Sequence, residues 1–148
     1  MSETRSYKRP ESVLVVVHTQ DLECLLLERV HPQGFWQSVT GSLRWDETPL
    51  DAAARELEEE TGLDPAGMAD AGTERSFPIL PAWRHRYPPD VSANLEHWFY
   101  LAIPQACAVR LNPGEHRGYE WLALEPAIER ASSWTNREAL QRLRGGGG

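Results

Sequence analysis

The chain has 148 residues, 41% hydrophobic and 25% charged, which is one soluble globular domain's worth of sequence, with enough apolar material for a core. A formal net charge of −7 argues against a non-specific nucleic-acid binder, because phosphate backbones reward basic surfaces. The opening MSETRSYKRPES has no secretory-type apolar run and no segment has the length of a membrane span, so the expected location is the cytoplasm.

In chain order, Ser12 to His18 is a β-branched apolar run that reads as a strand buried on both faces. Gln20-Asp21 turns the chain into a second, antiparallel strand, Glu23 to Arg29, which ends in a basic side chain. The loop Val30 to Gly34 leads to a short strand, Phe35 to Thr40, that delivers Gly41. Cys24 and Cys107 fall in strand-like stretches without metal-ligand spacing and are expected as reduced, half-buried core thiols.

The densest information lies between Gly41 and Leu63, GSLRWDETPLDAAARELEEETGL. Thr48-Pro49-Leu50-Asp51 is a helix start, with a hydroxyl for the N-cap, proline where its missing N–H costs nothing, and an acid three residues after the cap. Gly62 supplies the stop. Leu50, Ala53, Ala54 and Leu57 form one apolar stripe toward a core. Glu56, Glu59 and Glu60 crowd an adjoining arc, and Arg55 relieves only part of their repulsion. Oxygen ligands on a rigid element suit a hard divalent ion such as Mg²⁺, which takes one or two carboxylates, waters and a substrate phosphate. Arg55 itself is expected in an ion pair with Glu47 or Glu59 that fixes the loop on the helix.

Beyond the helix, Asp64 to Gly72 reads as a connection and Thr73 to Leu80 as an edge or interrupted strand, since Pro78 and Pro81 cannot donate to a ladder. Trp83 to Asp90 is a basic, aromatic loop. Asn94 to Ile103 and Cys107 to Leu111 read as strands, Asn112 to His116 as a turn, and Tyr119 to Leu122 as a last strand. Helices are expected over Glu125 to Arg130 and Asn136 to Arg144. Residues 1–144 then make one α/β domain, an α/β/α sandwich around a mixed sheet, and 145–148 a flexible glycine tail. The histidines share no ligand spacing, so zinc is not expected. The tryptophans are core by default, with Trp36 and Trp134 the candidates to line a pocket.

The spacing of Gly41, Glu47, Arg55-Glu56-Leu57, Glu59, Glu60, Gly62 and Leu63 resembles a complete Nudix box. YKRPES at 7–12, FWQSVTGS at 35–42, RHRYPP at 84–89, the N-x-E-x-W-F pattern from Asn94 and SWTNREAL at 133–140 extend the likeness to the bacterial dihydroneopterin triphosphate pyrophosphatases. The resemblance implies an α/β/α fold, with Mg²⁺ or Mn²⁺ held by box glutamates, and removal of pyrophosphate from a small-molecule triphosphate. It implies Glu56, Glu60 and a third acid, Glu115, as metal ligands. Lys8, Arg29, Thr40, Ser133 and the segment Phe77 to Leu80 stand where that subfamily contacts substrate, with Pro78 and the VHPQG loop departing from its pattern. The Gly41 loop should present backbone N–H groups to phosphates. Glu59 is a further catalytic acid, and Glu59 and Glu115 both stay open as general base. The alternatives are a broader hydrolase of dATP or oxidised dGTP, or a non-catalytic nucleotide-binding module, against which the intact box acids argue.

Overall fold

The computed structural model describes residues 7–146. Its elements are β1 (Glu11–Thr19), β2 (Glu23–Arg29), β3 (Trp36–Gln37), β4 (Val39–Ser42), α1 (Pro49–Thr61), β5 (Ala69–Pro78), a 3₁₀ helix (Pro81–Arg86), β6 (Ala93–Ile103), β7 (His116–Ala123), α2 (Leu124–Arg130) and α3 (Trp134–Gly146). All seven strands join one mixed sheet. β1 lies parallel to β6, while every other pairing is antiparallel.

β1 is buried along most of its length, as its unbroken Val-Leu-Val run dictates. Alternate side chains serve two cores. Val13, Val15, Leu25, Leu27 and Phe99 pack under α1 with Leu57, while Leu14, Val16, Leu26 and Trp98 pack under α2 and α3 with Ile128 and Leu140. The result is the expected three-layer sandwich. No helix among the described residues is long and apolar enough to cross a membrane.

The device that positions the site is a splay between β1 and β2. They pair at His18 and Cys24, then diverge. The segment from 36 to 42 fills the gap, Trp36–Gln37 bonding to β2 and Val39–Ser42 to β1. Sequence patterning suggests one strand here. The structure breaks it at Ser38, whose backbone N–H donates to Asn136 Oδ1 at 2.7 Å and whose hydroxyl accepts from Asn136 Nδ2 at 2.9 Å. Trp36 and Ser132 exchange two further bonds of 2.9 Å. The N-terminus of α3 therefore clamps the wedge strand.

Helix α1 begins and ends as its sequence indicates. The Thr48 hydroxyl accepts from the Asp51 N–H at 3.2 Å, and Gly62 takes a left-handed φ of 75° while donating to the Glu58 carbonyl. The inward face differs from the expected stripe. Leu50 is 52% exposed, and the buried set is Ala52, Ala53, Leu57, Glu60 and Thr61. The helix is rotated to drive Glu60 inward, and burying Leu57 contributes about 2 kcal/mol toward holding it there.

Other expectations are corrected. Cys107 to Leu111 is not a strand, and Cys107 is exposed. Its backbone is spoken for elsewhere: Arg110 N–H donates to the Thr61 carbonyl at 3.0 Å and Val109 N–H to the Tyr119 hydroxyl at 3.3 Å. Cys24 is fully buried on β2, its thiol pushed up to about 12 by burial. β5 starts at Ala69 rather than Thr73, with a register shift between Asp70 and Glu74. Gly72 serves that irregularity with a φ of 67°. β5 is an edge strand, consistent with Pro78. α3 continues through Gly145 and Gly146, two of the glycines assigned to a tail; Gly147 and Gly148 lie outside the described residues.

Candidate active site

Arg55 is the hub of the loop-to-helix junction. Its guanidinium grips both oxygens of Glu47, Nε to Oε2 at 2.7 Å and Nη2 to Oε1 at 2.8 Å, and reaches Glu56 Oε2 at 2.9 Å and Glu59 Oε1 at 3.5 Å. It also donates to the Ser42 carbonyl at 3.2 Å. Planar, bidentate pairing suits arginine for a fixed splint. The Arg55 contact, aided by the Arg44 N–H, holds the Glu47 carboxyl down at about 2. A depressed carboxyl contributes stability above its unfolded value and loses it as pH falls through the folded value. The stability advantage of wild type over Glu47→Gln should therefore be full at pH 6 and shrink steadily from pH 4.5 toward pH 2. Urea midpoints across that range check it; a constant difference would contradict the pairing.

Glu56 and Glu60 stand one turn apart beside the backbone of β4. Glu60 is 2% exposed, and its Oε1 has no hydrogen-bond partner. Burial raises its pKa well above the usual range, and the neighbouring Glu56 and Glu115 carboxylates raise it further against the Thr40 N–H. Burial raises Glu56 as well, opposed by the neighbouring Glu60 side chain and by Arg55. His116 Nε2 lies 3.9 Å from Glu60 Oε1. Burial and the charge of Arg29 pull this histidine down to about 4, so it faces the acid as a neutral imidazole and forms no ion pair at neutral pH.

Gly41 makes this approach possible. A Cβ there would run into the Glu56 carboxylate. A buried carboxylate oxygen without a donor, a second acid beside it and a backbone strip kept bare by glycine fit a hard divalent cation with an open side. Among the described residues no group of three or more histidine, cysteine, aspartate or glutamate side chains is gathered closely enough to hold a metal ion, so the protein's share of such a site rests on the Glu56–Glu60 pair. Glu115, on the turn before β7, influences Glu60 and Lys8 electrostatically without joining the Glu56–Glu60 contact. Glu59 points outward and is half exposed.

A cavity of about 480 Å³ opens along Thr40, Gly41 and Ser42, the strip of β4 beside this acidic edge, without Glu56 or Glu60 themselves in its lining. Every residue expected to bind substrate lines it: Lys8, Arg29, Thr40, Gly41, Phe77, Leu80 and Ser133. Each has a local support. Lys8 is pinned by its N–H to the Arg86 carbonyl at 2.7 Å, and its ammonium lies 5.9 Å from the Tyr87 ring centre. Burial, then Arg86 and Arg29, lower its pKa. Arg29 sits at a register break between β2 and β7 and donates to the His31 carbonyl at 2.7 Å. The Thr40 hydroxyl donates to the Val13 carbonyl at 2.9 Å. Ser133 caps α3, its Oγ accepting from the Asn136 N–H at 3.1 Å.

Trp134 lines the cavity and is 50% exposed, as expected of a stacking surface. Trp36 does not line it; the Arg130 guanidinium lies 5.0 Å from its ring centre. Of the basic loop, Arg86 reaches the cavity, and Trp83 and Tyr87 add aromatic wall. Sequence patterning missed Asn94, Glu96 and His116 as site residues. The first two carried a faint signal, polar side chains at alternate positions of a largely apolar strand.

The NUDIX domain model matches residues 8–143. The chain belongs to the Nudix family. Nudix hydrolases generally use a divalent metal, in keeping with the acidic edge. The chain is 40% identical over 142 residues to the dihydroneopterin triphosphate diphosphatase of Escherichia coli (strain K12), covering 93% of each chain. It is 37% identical over 141 residues to the Haemophilus influenzae enzyme of that name, covering 92% of this chain and 88% of the relative. The solved E. coli dihydroneopterin triphosphate pyrophosphohydrolase superposes with a TM-score of 0.84 at 40% identity, covering 92% of this chain and 95% of that one.

Proposed function

We propose that the protein hydrolyses 7,8-dihydroneopterin triphosphate to dihydroneopterin monophosphate and pyrophosphate, a step of folate biosynthesis in the cytoplasm, with Mg²⁺ as its ion and Mn²⁺ as a substitute. The observation that carries this reading is the cavity itself, cationic at Lys8 and Arg29, aromatic at Trp83 and Trp134, and walled in part by Gly41, whose backbone lies against the Glu56 carboxylate. The identities of 40% and 37% to enzymes bearing that name support the choice of substrate.

Glu56, Glu60 and Glu115 would hold the ion, which when bound neutralises phosphate oxygens and acidifies water. Lys8 and Arg29 fix the triphosphate by charge. The bare backbone at Gly41 leaves the room that the Glu56 carboxylate occupies, and the N–H groups of this loop would face the phosphates. Arg55 orients Glu56 through its 2.9 Å contact and lies outside the cavity lining. The attacking water's proton passes to Glu59 or Glu115, the acids of the cluster that stay exposed. Positioning and charge neutralisation suffice, as phosphoryl transfer asks little covalent chemistry of a protein.

Pyrophosphate release from dihydroneopterin triphosphate, dATP and 8-oxo-dGTP, each with Mg²⁺, tests the assignment. The pterin substrate should lead in kcat/KM by at least about 10-fold, the scale a few pocket contacts provide. A dATP value equal or higher sinks it in favour of a broader nucleotide hydrolase.

A further inference from the structure

One buried acceptor in the wall of the cavity, Asn94 Oδ1, has no hydrogen-bond donor, and a buried carboxylate, Glu96, stands beside it. Asn94 and Glu96 are two residues apart on β6, so both rise from the same sheet face, and both line the cavity. Ser12 of β1 stands beside Glu96 in parallel register and pairs on its other side with Ser42 of β4. Glu96 is 5% exposed. Its oxygens meet only neutral donors, the Trp98 indole N–H at 3.0 Å and the Thr135 hydroxyl, and it forms no salt bridge among the described residues. Burial raises its pKa, the two hydrogen bonds opposing. Asn94 is 3% exposed; its amide donates to Ser12 Oγ at 2.8 Å, and its Oδ1 is buried without a partner. Buried polar groups are ordinarily satisfied, and a carboxylate ordinarily has a cation or several donors. Here Asn94 Oδ1 has no donor, the Glu96 carboxylate has two neutral donors and no cation, and both residues line a ligand cavity.

We infer that Glu96, with Asn94 beside it, selects the ring of the substrate by accepting hydrogen bonds from the adjacent ring N–H and amino group of a 2-amino-4-oxo heterocycle. The inference rests on the cavity being the site proposed above. Such a ring presents two near-parallel N–H donors, the fork that a carboxylate accepts from arginine. An adenine ring offers one amino group flanked by acceptor nitrogens, and an acceptor set against Glu96 is repelled. The spacing agrees. From Glu96 across β1 to Ser42 is two strand separations, about 10 Å, which a bicyclic ring and a three-carbon chain span before the phosphates reach Gly41.

The test compares wild type, Glu96→Gln and Glu96→Asp on dihydroneopterin triphosphate, dGTP and dATP. Alongside it, binding of phosphate-free dihydroneopterin is followed by ring fluorescence with EDTA present. Glutamine keeps an acceptor for Trp98 but sets an N–H₂ against the ring, so KM for dihydroneopterin triphosphate and dGTP, which share a ring N–H next to a 2-amino group, should rise about 10- to 100-fold, the worth of a good bidentate pair. kcat should hold within a few-fold, dATP should be unaffected or improve, and dihydroneopterin should bind more weakly by the factor seen in KM. Glu96→Asp should retain part of the preference. Equal losses on all three substrates, or unchanged KM in a folded variant, overturn the role. If wild type ignores dihydroneopterin triphosphate, the proposed function fails, yet the dGTP-to-dATP preference and its dependence on Glu96 still decide this inference.

Discussion

Replacing Glu60 by glutamine is expected to cut kcat by more than about 100-fold, beyond what loss of an outer-shell partner costs a metal site, while stabilising the metal-free protein. Both effects come from one oxygen. Glu60 is 2% exposed, with Oε1 unpaired and a pKa raised by burial and by Glu56 and Glu115. A carboxyl raised in the folded state weighs against folding above its unfolded pKa, where its charge must be buried. Glutamine removes that charge and can donate to Glu56, which should recover about 1–3 kcal/mol at pH 7. Melting curves with a chelator and hydrolysis assays with Mg²⁺ read the two effects separately. Wild-type turnover would remove Glu60 from the chemistry, and a lowered midpoint would contradict its buried, unpaired state.

Gly41→Ala should lose about 10- to 100-fold in kcat and about 1–3 kcal/mol of stability, the usual cost of overpacking. The added methyl runs into the Glu56 carboxylate, which has little freedom to yield because it is 12% exposed and bonded to Arg55 at 2.9 Å. The damage is thus transmitted through Glu56. In a Glu56→Gln background the same substitution should cost little further activity, since two changes acting through one group do not add. Fully additive losses in the double variant would show that Gly41 acts on its own, through its backbone.

Much of this site can be read from residues whose chemistry is local. A cap, a stop and an acidic arc within one helix follow from spacing, and Arg55 finds Glu47 because both belong to one short loop-helix unit. What spacing does not encode is rotation of α1 about its axis. Leu50 looks like core and Glu60 like surface, yet packing Ala53 and Leu57 against β1 turns the helix the other way. The strand expected at Cys107 to Leu111 fails for a related reason: composition says which segments tolerate a sheet, while free ladder positions decide which enter it. Asn94 and Glu96 stand in the sequence only as an N-x-E pattern with no role attached, because their meaning as a pair depends on β1 and β4 lying alongside.

The splay between β1 and β2 sets an order of events during synthesis. The strand that carries Gly41 is anchored through Ser38 to Asn136, 98 residues further along the chain. A nascent chain that has emerged as far as the acidic helix holds every box residue in sequence and lacks the residue that pins the wedge. Contacts that close so long a loop form late, because the entropy of closure must be met before they return anything. Metal affinity in the box should therefore mature only when the last helix docks, so the acidic edge meets its cation as a finished surface rather than folding around it.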